Sequence, residues 1–530
     1  MRIIDNRAVA FRTRNPGKFS ILPNQFVQPV PGGSEVIVPW RLDEMRVLKN
    51  LGVKDVPSPI GRNYKWPGRY RSMGHQRTTA GFTTLHRKGF IFNEPGTGKT
   101  MSILWAMDYL MTQGEVRRCL VVCPLSIMHS AWMADINSSV IHRSAIVAHH
   151  AQAARRAEMI RGNYEIVIIN YDGLNLVVPD IIANGKFDMV IVDEANAYGN
   201  SATARWKSLA RIVGPDTYLW MMTGTPAAQS PLNAYGLAKL VNPAAVPAYA
   251  TAWRDKVMWK LSTFKWIPKA DARDTVFNAL QPAIRFTKAQ CLDLPPVLKT
   301  TRMVPMTPQQ QKYYKLIKDE MLVVAAGVTI SAVNKAALVN KLLQVSCGST
   351  YAENKEVVEF DAAPRLNVLL EILEETERKV IIFALYRSSI TRIEEFLKKN
   401  GQDVGVIHGG VSATQRGALI NSFQNTSAPR IMLMQPQATA HGLTLTAADT
   451  VVFFGPLMSV EQYVQCIARV DRQGQTSDKV TVVHIQSSPI EEKMFKAMEG
   501  RVTDHALLTE MYDEEMEAKQ ILCSVLDIVL

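Results

Sequence analysis

Three groups of residues in this chain are of the types and spacings that handle phosphate. The first is Gly89-Phe90-Ile91-Phe92-Asn93-Glu94-Pro95-Gly96-Thr97-Gly98-Lys99-Thr100: an apolar run, a Gly-rich turn, then Lys-Thr opening a helix. Apolar residues follow at helical spacing (Met101, Ile103, Leu104, Met107, Leu110, Met111). Backbone N–H groups around Gly96, Thr97 and Gly98 can cradle phosphate oxygens, and the helix N-terminus adds positive potential. Lys99 supplies a mobile charge, and the Thr100 hydroxyl can ligate Mg²⁺. The full pattern carries Gly six residues before the Lys, where this chain has Asn93. A Gly-rich turn capping an ordinary helix is the plainer alternative. The second group is Asp193-Glu194, placed where an apolar run ends. One carboxylate, Asp193, can hold the Mg²⁺ shell as metal ligand, and Glu194 can polarise an attacking water. Two acids at a helix start are also common. The third group lies in Gln465-Cys466-Ile467-Ala468-Arg469-Val470-Asp471-Arg472-Gln473-Gly474-Gln475. Arg469 and Arg472 are three apart, so on a helix they share a face and can neutralise charge on a transferring phosphoryl group. The alternative is a surface ion-pair helix.

Such groups need strands ending where they begin. Cys119–Cys123 runs into Pro124, Glu165–Ile169 into Asn170-Tyr171, Met189–Val192 into Asp193, and Tyr218–Met222 into Thr223-Gly224-Thr225-Pro226. Apolar runs alternating with helical stretches predict a buried parallel sheet with crossover helices, its ligands at the carboxyl ends. Residues 227–290 read as mostly helical, Leu294-Pro295-Pro296 as a hinge, and 307–345 as helical. A second α/β block follows, with strands at 379–383, 404–408, 430–434, 450–454 and 480–485. Residues 1–55 hold Pro and Gly clusters around short β-like runs and a short helix at 42–51.

The bulk properties suit these readings. The chain has 530 residues, 47% hydrophobic and 20% charged, enough for two or three domains. No apolar run is long enough to span a membrane, and the N-terminus lacks the apolar core of a signal peptide. Six scattered cysteines make no Cys-x-x-Cys pair, which argues against structural zinc and fits a reducing cytoplasm. A net charge of +12 favours a polyanionic partner. From Val56 to Asn93 there is no acidic residue, while Arg62, Lys65, Arg69, Arg71, Arg77, Arg87 and Lys88 interleave with Tyr64, Trp66 and Tyr70. That pattern suits nucleic-acid backbone and base stacking, or packing on the nucleotide site.

Taken together, these motifs resemble, in content and order, those of the Swi/Snf-type ATPases of helicase superfamily two, over roughly residues 70–500. The phosphate loop resembles the family's first motif. Gln76 stands where the family reads adenine, and Val121–Ser126 with Trp132 beyond resembles a DNA-contacting motif. Asp193-Glu194-Ala195-Asn196 resembles the Walker B box, with Asn196 in place of the usual His. Thr223–Pro226 resembles the coupling motif, and Leu292–Pro296 the segment joining two lobes. His441–Asp449 resembles the fifth motif, and Gln465, Arg469, Arg472, Gly474 and Gln475 the sixth.

The resemblance implies an α/β fold of two tandem RecA-like lobes: an N-terminal module (1–65), a first lobe (66–290), a linker with helical insertion (291–350), a second lobe (351–500) and a helical tail (501–530). It implies a DNA-dependent ATPase using ATP and Mg²⁺. Glu194, Lys99, Arg469 and Arg472 would be catalytic. Gln76, Gly96, Thr97, Gly98, Lys99, Thr100, Asp193, Gly442 and Gln465 would bind nucleotide, with Thr100 and Asp193 on the metal. Pro124, Ser126, Asn170, Tyr171, His408 and Thr444 would meet nucleic acid. The partner would be duplex, forked or branched DNA, with no membrane and a monomeric chain. The expected task is duplex translocation that remodels forks or branches; a strand-separating helicase and a nucleotide-gated clamp are the alternatives. Small bacterial or bacteriophage members, or the annealing-helicase branch, are the most similar in layout, and the former implies the cytoplasm of a bacterium or of an infected host.

Overall fold

The computed structural model describes residues 1–184, 187–224, 226, 230–262, 265–291, 294–327, 332–351, 357–439 and 443–500. The described chain divides between Cys291 and Leu292 into two units.

The first unit opens with a four-stranded antiparallel sheet, β1 (Arg2–Ile4), β2 (Ala8–Thr13), β3 (Phe26–Val30) and β4 (Gly33–Pro39), in the order β1-β2-β4-β3. Its Val9, Phe11, Val36 and Val38 share one buried cluster with Ile103, Leu104 and Met107 of the helix Lys99–Thr112. The N-terminal sheet is therefore packed into the core of the first unit rather than appended to it.

The large sheet of that unit comprises β5 (Lys88–Ile91), β6 (Cys119–Cys123), β7 (Ala145–Val147), β8 (Ile166–Asn170), β9 (Met189–Val192) and β10 (Tyr218–Met222). After an antiparallel hairpin, β11 (Met258–Ser262) and β12 (Lys265–Pro268), it gains β13 (Ala283–Ile284). The order is β13-β5-β10-β9-β6-β8-β7, with every pairing parallel. Side chains alternate between its faces. Met189, Ile191, Trp220 and Met222 enter the cluster on one face; Val190, Val192, Leu219 and Met221 enter that on the other. Burial on both faces explains why these strands read as unbroken apolar runs. Residues 227–290, expected to be mostly helical, supply the β11–β12 hairpin and β13; these short strands carry too little periodicity to be told from helix.

The second unit begins with β14 (Val297–Met303), followed by helices over Pro308–Gly327 and Ala332–Ser346 and by the small antiparallel pair β15 (Ser349–Tyr351) and β16 (Val357–Glu359). Its main sheet adds β17 (Lys379–Phe383), β18 (Val404–Ile407), β19 (Ile431–Met434), β20 (Ala448–Phe453) and β21 (Val480–Gln486). The order is β14-β21-β20-β17-β19-β18, all parallel. Residues 291–350 are thus more than a linker: β14 pairs with β21 along seven residues, Val297 to Met303. As an edge strand it is largely exposed and polar, so it lacks the apolar signal of its neighbours. The expected tail at 501–530 lies outside the described residues.

Candidate nucleotide site

In the first unit β5, β10, β9, β6 and β8 all end on one edge of the sheet, and the loops that leave them carry the chemistry. The β5 loop turns through Gly96 (φ +94) and Gly98 (φ +75), left-handed conformations that glycine adopts freely. The helix Lys99–Thr112 starts directly behind it, with Thr100 half-buried in its first turn. The Lys99 ammonium donates to the Asn93 carbonyl at 2.8 Å. Burial pulls that ammonium below the ordinary lysine range, while Glu194, Asp193 and Glu94 pull it back up.

Asn93 needs no glycine conformation. Its buried side chain donates Nδ2 to Thr79 Oγ1 at 2.9 Å, fastening the loop to the helix Gly74–Leu85. Among the described residues, the buried Asn93 Oδ1 has no donor. From the same helix, His75 Nε2 meets the Thr97 carbonyl at 2.8 Å. Gln76 Oε1 accepts the Met73 N–H at 3.0 Å, and its Nε2 lies where a Cβ on Gly98 would stand. Gln76 therefore caps its own helix and lines the loop. Two further braces hold the loop: the Arg285 brace carries no sequence motif, whereas Gly224 lies within the Thr223–Pro226 motif. Arg285, just past β13, donates to the Phe92 carbonyl at 3.3 Å and to Glu94 at 3.2 Å, and the Lys288 N–H reaches Glu94 at 2.9 Å. Gly224, after β10, approaches Pro95 so closely that a Cβ there would fall 2.6 Å from the proline ring.

Asp193 and Glu194 leave β9 side by side. Asp193 is buried; its Oδ2 accepts the Trp132 indole N–H at 2.9 Å, and its Oδ1 accepts the Glu194 N–H at 3.0 Å. Glu194 has φ 47 and ψ 56, a left-handed backbone that costs a non-glycine residue about 1–3 kcal/mol. The Tyr171 hydroxyl donates to the Asp193 carbonyl at 2.6 Å and the Glu194 carbonyl at 3.3 Å. Burial and both acids push that phenol well above its usual range, which keeps it a neutral donor.

Four of the residues expected on nucleic acid, Pro124, Ser126, Asn170 and Tyr171, lie at the same sheet edge but differ in availability. Pro124 is buried at the end of β6. Ser126 sits in the turn Leu125–Ile127. Asn170 ends β8, its Oδ1 3.4 Å from Arg156. Tyr171 is turned to the Asp193 and Glu194 main-chain carbonyls, with Arg205 over its ring at 4.9 Å, so its hydroxyl is not presented outward. The basic segment 56–93 also resolves. Tyr64 donates to Asp108 at 2.7 Å and packs edge-on to Tyr109, while Trp66 packs edge-on to Trp105. These aromatics hold the fold; Lys65, Arg69, Tyr70 and Arg71 remain exposed.

The expected residues of the second unit are gathered separately. The helix Val460–Ile467 carries Gln465, whose Nε2 lies 3.4 Å from Glu461 Oε1. The helix then stops, and Arg469 and Arg472 lie beyond it, in turns closed by Arg469 N–H to the Cys466 carbonyl and Gln475 N–H to the Arg472 carbonyl. The expected helical face is corrected to a turn that ends at Gly474 (φ +96). Both guanidiniums nonetheless converge on the Leu443 carbonyl, at 3.5 and 3.0 Å, beside Thr444. Gly442 lies outside the described residues. His408, just past β18, is half-buried and accepts the Gly410 N–H at 3.0 Å.

The first unit's groups fit Mg²⁺ and a nucleotide triphosphate. The cradle would be closed by a single Cβ, the Lys99 ammonium feels the charge of three carboxylates, and among the described residues Asn93 Oδ1 is a buried acceptor without a donor. Thr100 and Asp193 are the groups suited to the metal.

The SNF2-related domain model matches residues 40–348, and the helicase conserved C-terminal domain model matches residues 364–474. An uncharacterised ATP-dependent helicase of Mycoplasma genitalium is 24% identical over 420 residues, 77% of this chain and 39% of that protein. The SWI/SNF-related matrix-associated actin-dependent regulator of chromatin subfamily A-like protein 1 of Xenopus laevis is 24% identical over 425 residues, 76% of this chain and 40% of that protein. The chain thus spans about two fifths of the length of these curated relatives. Among solved structures, the Sulfolobus solfataricus SWI2/SNF2 ATPase core in complex with double-stranded DNA is similar at 19% identity and a TM-score of 0.41, over 87% of this chain and 97% of that one.

Proposed function

The chain belongs to the SNF2-related domain family, and from that premise we propose that it is a DNA-dependent ATPase whose turnover drives movement along duplex DNA and remodels forked or branched substrates. The observation that carries this reading is the convergence, on one sheet edge, of the Gly96–Thr100 cradle, the Lys99 ammonium and the Asp193-Glu194 pair. Lys99 and the loop N–H groups bind and orient the phosphates, and Gln76 borders them. Asp193 and Thr100 hold Mg²⁺, which when bound neutralises charge on the phosphate oxygens. The Glu194 carboxylate takes a proton from the water that attacks the terminal phosphorus, and ADP and inorganic phosphate leave. Arg469 and Arg472 are assigned the neutralisation of charge on the transferring group. Gln465 and Gly442 are assigned to nucleotide, and Pro124, Ser126, Asn170, His408 and Thr444 to the DNA path. A monomer acting in a bacterial or phage-infected cytoplasm completes the proposal; among the described residues, no helix is long and apolar enough to cross a membrane.

The test is the steady-state ATPase rate with no nucleic acid, single-stranded DNA, blunt duplex, forked duplex and RNA. Stimulation by duplex or fork that disappears in Lys99→Ala is the expected result. Stimulation by single strands alone would favour a strand-separating helicase. A rate indifferent to every nucleic acid would favour a nucleotide-gated clamp and overturn the motor.

A further inference from the structure

Past Pro124 the chain enters a short 3₁₀ turn, Leu125–Ile127, and then a π-helical turn over Met128–Met133. Single π turns are rare and recur at functional sites, because the extra residue per turn redirects the side chains that follow. Here the redirected side chain is Trp132. It is fully buried, and its indole N–H ends on Asp193 Oδ2 at 2.9 Å. With Oδ1 held by the Glu194 N–H, the carboxylate is fixed at both oxygens. The outer side of the same segment is open, with Leu125 and His129 exposed. Tyr171, opening the helix after β8, holds the turn after β9 through the carbonyls of Asp193 and Glu194. One short segment therefore has a solvent-facing side on the expected DNA path and a buried side bonded to the expected metal carboxylate.

We propose that Trp132 is a positioning residue for Asp193, and that through it DNA bound on the outer side of Leu125–Met133 sets the carboxylate for Mg²⁺ and nucleotide. This rests on the reading of the Asp193 site as a Mg²⁺·ATP site. The link needs no movement of the sheet: a shift of the π turn displaces the indole N–H, and Asp193 Oδ2 loses or regains that donor. Partners in this position around metal ligands typically govern 10–100-fold in metal affinity.

The test compares wild type with Trp132→Phe, which keeps an aromatic ring and drops the N–H. A fluorescent ATP analogue is titrated across Mg²⁺ concentrations and in EDTA, without DNA, and ATPase is measured with and without duplex. The expected result is a Mg²⁺ midpoint for analogue binding raised about tenfold, affinity in EDTA within about twofold of wild type, and stimulation by duplex largely lost. A midpoint and a stimulation ratio both within about twofold of wild type would overturn the proposal. Tyr171→Phe, which removes only a hydroxyl, serves should Trp132→Phe not fold. It should lower kcat severalfold with KM for ATP unchanged, and an unchanged kcat would count against the coupling. A wild type that hydrolyses nothing with any DNA refutes the motor, yet the Mg²⁺ midpoint still tests the Trp132–Asp193 bond. A wild type that binds no Mg²⁺·nucleotide overturns both.

Discussion

At Gly98 the backbone is left-handed (φ +75), and a methyl group would come within 2.2 Å of Gln76 Nε2, itself on a buried side chain. Gly98→Ala thus meets a left-handed cost of about 1–2 kcal/mol and a steric conflict in the phosphate cradle. Nucleotide affinity should fall at least about tenfold on titration with a fluorescent ATP analogue; unchanged affinity would mean the cradle is not used. Glu194 makes the complementary case. Glu194→Gln keeps the side-chain shape but removes the proton acceptor, so turnover should fall by about 100-fold or more while analogue binding persists. Wild-type turnover in this variant would remove Glu194 from the role assigned to it. Asn93 shows what a pattern alone conceals. The motif pattern treats it as a missing glycine, whereas its side chain fastens the loop to Thr79 and its carbonyl receives Lys99.

Among elements, the strands buried on both faces were legible in the sequence: β6, β8, β9 and β10 emerge within a residue of their expected bounds, although β8 takes in Asn170 and runs straight into the helix Tyr171–Asn184. What escaped was held by tertiary contacts. β13 is two residues long and exists by pairing with β5, and β14 is an exposed edge. Arg285 braces the phosphate loop from a position nearly 200 residues downstream, |i−j| 191 from Glu94. No local spacing announces such a brace. Arg285→Met should cost about 1–3 kcal/mol in chemical denaturation, since it leaves the Phe92 carbonyl and Glu94 without a donor they now have. In the second unit, His484 on β21 is buried against Phe495, with its Nε2 2.9 Å from the Tyr463 hydroxyl. Burial, with Lys299 nearby, lowers its pKa to about 4 from 6.5, and Glu499 at 3.9 Å is too exposed to offset this. Between these values the unfolded chain binds the extra proton. Stability is therefore fully present above pH about 6.5 and falls as pH drops toward 4, by up to about 3 kcal/mol. His484→Gln should flatten that slope of the denaturation midpoint; an unchanged slope would place the titration elsewhere.

For the whole molecule, two parallel-sheet units in tandem are what the family membership and the strand orders both describe. With a net charge of +12, much of any DNA affinity should come from phosphate contacts and counterion release. The logarithm of the duplex binding constant should fall linearly with the logarithm of salt concentration, and a salt-independent constant would argue against a backbone-tracking surface. The most direct test of the central claim is displacement of a third strand from a duplex carrying a triplex block. A motor that tracks duplex DNA without parting it strips the third strand in an ATP-dependent reaction, leaves a forked duplex unseparated, and loses the activity in Glu194→Gln. ATP hydrolysis at full rate with the third strand left in place would contradict it.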